Sequence, residues 1–144
     1  AGSIAATDVQ AAIAEIDGDT TAPTTWTPVL AQNGVLTATV TYAKYTVHGK
    51  LVVCRFRLDI TEAGTTANVV ILSGLPVDAD DTNNIGGSYD YYDASTASYS
   101  GGIIGATANT VQFAFHNNGQ GNLGTNFAIA SGDAIRGHVM YFKA

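Results

Sequence analysis

The side chains best suited to chemistry gather between positions 89 and 122. Tyr89, Tyr91, Tyr92 and Tyr99 stand close to Asp90 and Asp93. Aromatic faces stack on the CH groups of sugars, and carboxylates accept from sugar hydroxyls, so this mixture suits carbohydrate recognition. Tyrosine is also a good strand former, so packing or a subunit interface is the competing reading. Further along, the Gly/Asn-rich stretch 116–126 offers His116, Asn117, Asn118 and Asn122. Loops of this kind carry binding groups when a rigid scaffold holds them, and otherwise only connect.

Catalytic patterns are sparse. His48, His116 and His138 have no H-x-x-x-H or H-E-x-x-H spacing, and there is no G-x-S-x-G elbow. A Ser-His-Asp set would assemble in space, which spacing along the chain does not address. Most carboxylates fall in turn-forming segments and read as solvated surface, so no enzyme activity is expected. Asp78, Asp80, Thr82 and Asn84 alternate like the ligands of a calcium loop. The turn glycine and the twelfth-position Glu of such a loop are replaced by Asn83 and Tyr89, which favours an ordinary solvated loop. The single cysteine, Cys54, rules out an internal disulfide and a Cys-rich zinc site. No metal or cofactor is therefore expected.

Composition bounds the rest. A chain of 144 residues has room for one domain. Charged residues are only 12%, but 46% are hydrophobic, enough for a core. The net charge is −6 and no basic cluster occurs along the chain, which disfavours a nucleic-acid partner. No apolar run approaches the roughly 20 residues of a membrane helix, so no membrane insertion is expected. No leader pattern is visible, and the chain opens on Ala1 rather than Met, as a fragment or a processed product would.

A helix is expected over about 8–17. Thr7-Asp8-Val9-Gln10 fits a capping box, Val9, Ala12, Ile13 and Ile16 share one face, and Asp17-Gly18 supplies a stop. So short a helix needs packing to persist. It could lie on its own domain, or pair with copies of itself through the seam Val9, Ile13 and Ile16. The Thr/Pro-rich segment 19–28 reads as a linker, with Trp26 anchoring it to the domain. From 29 to 144 the pattern is β.

Val35–Val47 is a Thr/Val/Tyr-rich strand, and His48-Gly49 a tight turn. Next, Val52, Cys54, Phe56, Leu58 and Ile60 alternate with Val53, Arg55, Arg57 and Asp59, which sets a buried face against a polar one. That alternation puts Cys54 in the core. Further strands are expected at 68–72, 89–94, 97–102, 110–115 and 135–143, the last lying centrally. Eight or nine short strands argue an antiparallel β-sandwich, jelly-roll-like, behind a short N-terminal helix.

The segment Ile4–Asp17 (IAATDVQAAIAEID) resembles a motif that precedes fibre domains in tail-fibre and other appendage proteins of tailed bacteriophages. Trp26-Thr27-Pro28, the run from Tyr42 through Tyr45 to Gly49-Lys50, and Leu75-Pro76 are loosely similar to small C-terminal β-domains of the same proteins. The resemblance implies a homotrimer in the virion, with a helical neck over 1–18 clamped by Val9, Ile13 and Ile16. It implies a non-enzymatic domain over 29–144 that binds a host surface glycan or other receptor beside other virion proteins. A structural head fibre or capsid decoration is the alternative. On this reading the receptor contacts are Tyr89, Tyr91, Tyr92, Asp93, His116, Asn117, Asn118 and Asn122.

Overall fold

The computed structural model describes residues 22–32, 36–64, 69–80, 85–96, 98–107, 110–115, 121–122 and 129–144. The expected helix, with Val9, Ile13 and Ile16, lies outside the described residues, as do Thr82, Asn84, His116, Asn117 and Asn118. The described chain is mainly β, with no helix among the described residues.

Among the described residues ten strands run in the order β1 (Thr24–Thr25), β2 (Val29–Ala31), β3 (Thr37–His48), β4 (Leu51–Glu62), β5 (Ile71–Ser73), β6 (Gly86–Asp93), β7 (Ser98–Thr107), β8 (Thr110–Phe115), β9 (Gly121–Asn122) and β10 (Ala134–Phe142). They form one hydrogen-bonded path, β1-β3-β4-β10-β6-β7-β8-β5-β2, with β9 beside β8. Every pairing is antiparallel. β1 and β2 sit at opposite ends of this path, yet only residues 26–28 separate them in the chain. The two ends must therefore meet, and the path folds over into two facing antiparallel layers.

Aromatic contacts across the interior report the same closure. The Phe113 ring on β8 meets Phe56 on β4 edge-on at 6.1 Å and Tyr89 on β6 at 4.8 Å, although β8 is bonded to neither strand. These rings belong to one core with Val52, Leu58, Leu72, Val111, Ile135 and Val139. Each such side chain contributes about 1.5–3 kcal/mol on burial.

The expected alternation of β4 holds: Val52, Cys54, Phe56, Leu58 and Ile60 are all buried. Removing the Cys54 thiol from water pushes it up to about 12, a shift that a hydrogen bond with Tyr141 only partly offsets. The β3–β4 turn is Gly49-Lys50 rather than His48-Gly49, since His48 still pairs with Leu51. Gly49 takes φ +60°, the positive value that tight hairpin turns need at their first central residue.

The terminal strand β10 is central, bonded to both β4 and β6. Near its middle, Gly137 lies opposite Phe56 on one side and Tyr89 on the other. A Cβ there would stand 2.5 Å from the Ser88 carbonyl oxygen and 2.9 Å from the Tyr89 Cβ, so only glycine fits.

Two further expectations change. The 19–28 segment is not a separate linker in its described part. Thr24–Thr25 pairs with β3, and the buried Trp26 donates its backbone N–H to the Ala43 carbonyl at 3.3 Å. β7 runs to Thr107 instead of ending at Gly102, because pairing with β6 and β8 on its two sides overrides the low strand propensity of its glycines.

Candidate functional site

The core-facing residues of β4, β10 and β6 fix what the same strands present to solvent. On β4 the outward positions are Arg55, Arg57 and Asp59; on β10 they are Arg136, His138, Met140 and Phe142; on β6 they are Ser88, Asp90 and Tyr92. β3 adds Tyr42 and Lys44 on the same side, opposite Arg57 and Arg55 respectively.

Register brings the cations together. Arg57 is directly opposite Arg136, and Arg55 lies between Lys44 and His138. All three arginines of the chain, Arg55, Arg57 and Arg136, thus share one small area. The chain has no basic cluster along its length, but the fold builds one.

This outer surface is furrowed. A cleft of about 480 Å³ lies over β3, β4, β10 and β6, lined by Tyr42, Arg55, Arg57, Asp90, Arg136 and His138 among others. A second hollow of about 270 Å³ continues it past Arg57 and Arg136 to Tyr92 and Ala134. A third of about 290 Å³ extends it the other way, past Arg55 and Lys44 to Pro23. Because the first cleft shares Arg57, Asp90 and Arg136 with the second hollow and Tyr42 and Arg55 with the third, the three form a continuous furrow across the strands. The principal cleft falls within the roughly 300–1,000 Å³ usual for ligand sites.

Two carboxylates orient the guanidinium groups. Arg57 donates from Nε to Asp59 at 3.0 Å, and Arg136 donates from Nε to Asp90 at 3.2 Å. Burial opposes the charge on Asp59, but the hydroxyl of Thr41 and the guanidinium of Arg57 outweigh it and hold the carboxyl below its usual range. Both pairs are solvent-exposed, so they contribute little to stability and serve mainly to set side-chain direction.

The expected contact residues separate. Tyr89 and Tyr91 are 3% and 1% exposed and point into the core, so they offer no ring face to a ligand. Alternation is the reason: in a two-layer fold one face of β6 must be core, and its two tyrosines with Gly87 occupy it. Burial pushes both phenols well above the ordinary tyrosine range. Tyr92, one residue on, lies half-buried on the outer face and borders the furrow. Asp93 is used locally. Its Oδ1 accepts from the Ser95 N–H at 2.9 Å, the Ser95 hydroxyl at 2.6 Å and the Thr96 N–H at 3.3 Å, which closes the β6–β7 turn. The Ser95 hydroxyl chiefly holds its carboxyl below the usual range. Asn122 falls in β9.

One carboxylate departs from the solvated reading. Asp133 is 1% exposed. It accepts from the Tyr91 hydroxyl at 2.5 Å, the Ala94 N–H at 3.0 Å and the Ala130 N–H at 2.7 Å. Its backbone closes the turn from Ala130, in which Gly132 has φ +96°, and its carbonyl accepts from Ile60 at 2.8 Å. Three donors satisfy the buried carboxylate, and its role is to lock the base of β10 to β4 and β6.

Sequence reading missed Tyr42, Arg55, Arg57, Asp90, Arg136 and His138 as a group. Period two placed Arg55 and Arg57 on one polar face, and the same rule applies to Arg136 and His138. The pairing of β4 with β10, some 80 residues apart in the chain, is what joins the two sets. No protein-family model matches the chain, and no curated protein or solved structure matches it.

Proposed function

We propose that this chain is the non-enzymatic receptor-binding part of a phage fibre or related virion appendage: a trimer of jelly-roll-like β-domains carried on an N-terminal helical neck, holding a host surface glycan in the furrow of the β3-β4-β10-β6 layer. The motif at Ile4–Asp17 supports the setting. The furrow itself carries the binding assignment. It is long and open, with Tyr42 where the first and third hollows meet and Tyr92 in the second. Between them, guanidinium donors and carboxylate acceptors are arranged on rigid strands. Tyrosine faces would stack on sugar rings while the charged groups bond to hydroxyls and acidic substituents. Three copies would add avidity to a shallow site.

The test is a bacterial-glycan array probed with the full chain, together with light scattering. A mass near three times 14.8 kDa is expected. A Tyr42→Ala, Tyr92→Ala double variant should lose about tenfold in glycan affinity, the scale of an exposed aromatic anchor. A monomer overturns the trimer, and failure to bind any envelope glycan overturns the receptor assignment.

A second reading is a head fibre or capsid decoration that packs against other virion proteins. Met140 and Phe142, exposed at 41% and 52% on the outer face of β10, favour it. Co-sedimentation with purified capsids rather than with cells would select it.

A further inference from the structure

We infer that the furrow selects anionic saccharides, with Arg55, Arg57 and Arg136 reading a carboxylate, sulfate or phosphate substituent. The inference rests on the glycan-binding reading for the sugar and on the charge arrangement for the anion.

The chain carries −6 overall and only six Lys and Arg residues. Four of the six (Lys44, Arg55, Arg57 and Arg136) lie around this furrow, and among the described residues they face two carboxylates, Asp59 and Asp90. The balance among the described residues is therefore +2 there, in a molecule of the opposite sign. Random placement of scarce cations on an acidic surface would spread them out.

The arrangement also opposes stability. Like charges directly across a strand pair repel, and Arg57 faces Arg136 while Lys44 faces Arg55. No ion pair is made by Arg55 among the described residues. A fold that sets cations against one another at its centre gains from an anion that bridges them. Arginine is suited to this, since its planar fork matches carboxylate and phosphate geometry. A guanidinium has five N–H donors, so the contact of Arg57 Nε with Asp59 leaves donor capacity facing the furrow.

The site is built on strands rather than loops. β4 and β10 are paired along nine residues, and their inward faces are fully core, so the guanidinium stems have fixed origins. Tyr42 on the neighbouring strand supplies a ring face beside the cations. A group with both a ring to stack and an acid to pair, such as a uronic or sulfated sugar, uses both features.

The experiment uses the full chain with three probes: inorganic sulfate, an oligogalacturonate, and the same oligomer with its carboxyls methyl-esterified. Nitrogen-detected NMR of the arginine side chains and calorimetry give site and affinity. The expected result is that sulfate and the acid oligomer shift the Arg57 and Arg136 signals. Affinity for the acid oligomer should exceed that for the ester by about tenfold and fall as salt rises. An Arg57→Gln, Arg136→Gln variant should lose about tenfold in affinity for the acid oligomer. Its thermal midpoint should equal or exceed that of the wild type, because the repulsion removed offsets the two exposed ion pairs lost with it. A Lys50→Gln, Lys143→Gln variant, altered away from the furrow, should bind normally.

Equal binding of acid and ester overturns the anion selectivity but leaves the glycan reading standing. No shift with either sulfate or the acid oligomer at millimolar concentration overturns the anion site. A single-stranded oligonucleotide bound as tightly as the acid oligomer, through the same arginines, overturns the saccharide class and points to a general polyanion surface. Failure of all envelope glycans on the array, with sulfate still bound at the arginines, would refute the receptor reading and not the anion site.

Discussion

The two faces of strand β6 treat the same residue types in opposite ways. Inward, the Tyr91 hydroxyl donates to a carboxylate, Asp133, that is sealed from water and accepts from two further backbone N–H groups. Outward, Asp90 meets Arg136 in a pair that leaves both side chains more than half exposed. An inward acid needs every acceptor filled, because unpaired buried charge is costly, and once filled it fixes geometry. An outward acid is screened by water, makes little net stability, and leaves the cation able to exchange partners. The furrow is built from groups of the second kind, held in place by groups of the first.

Breaking the inward network should have the largest effect. Asp133→Ala leaves the Tyr91 hydroxyl and the Ala94 and Ala130 N–H groups without their acceptor, so a loss of about 3–5 kcal/mol is expected by denaturant unfolding. Asp133→Asn should recover part of it, since one oxygen remains as an acceptor.

The core should next reveal itself at high pH. Cys54 has a folded value near 12, raised above the roughly 8.5 of an unfolded cysteine. The unfolded chain releases this proton first, so stability is complete below about pH 8.5 and declines as pH rises toward 12. By pH 10 the loss from Cys54 alone should be about 1–2 kcal/mol. Tyr89, Tyr91 and Tyr141 are raised by burial too and should steepen the decline at still higher pH. Cys54→Ala should flatten the pH dependence between 8.5 and 10 when denaturation midpoints are compared.

The smallest effect belongs to the outward pair. Asp90→Asn should change stability by less than about 1 kcal/mol, as exposed pairs do. It should nevertheless strengthen binding of an anionic probe, because a competing carboxylate leaves Arg136. A stability loss as large as that of Asp133→Ala would erase the distinction between the two faces.

Much of the scaffold was legible from local pattern. The alternation Val52 to Ile60 placed Cys54 in the core, and strand 110–115 and the C-terminal strand were found close to their observed limits. The candidate site was less legible. Four tyrosines and two aspartates in a short run suggested a ligand surface, but period two sends Tyr89 and Tyr91 inward and leaves only Tyr92 at the furrow. Asp133 looked like an ordinary turn acid, because nothing along the chain announces that the Tyr91 hydroxyl will stand beside it.

What the sequence determined by itself was therefore periodic and local: a β-rich chain, the inward and outward sets of each strand, and turns at Gly49 and Gly132. These follow from steric and hydrophobic rules that act over a few residues. Tertiary structure alone decided which strands became neighbours. β10 settles between β4 and β6 because it can bury Ile135, Val139 and Tyr141 while Gly137 admits close approach. That one choice sets Arg136 opposite Arg57 and gathers an acidic protein's scarce cations into a single furrow. Strand order is a property of long-range burial, whose energy depends on the whole core at once, and no short stretch of sequence contains it.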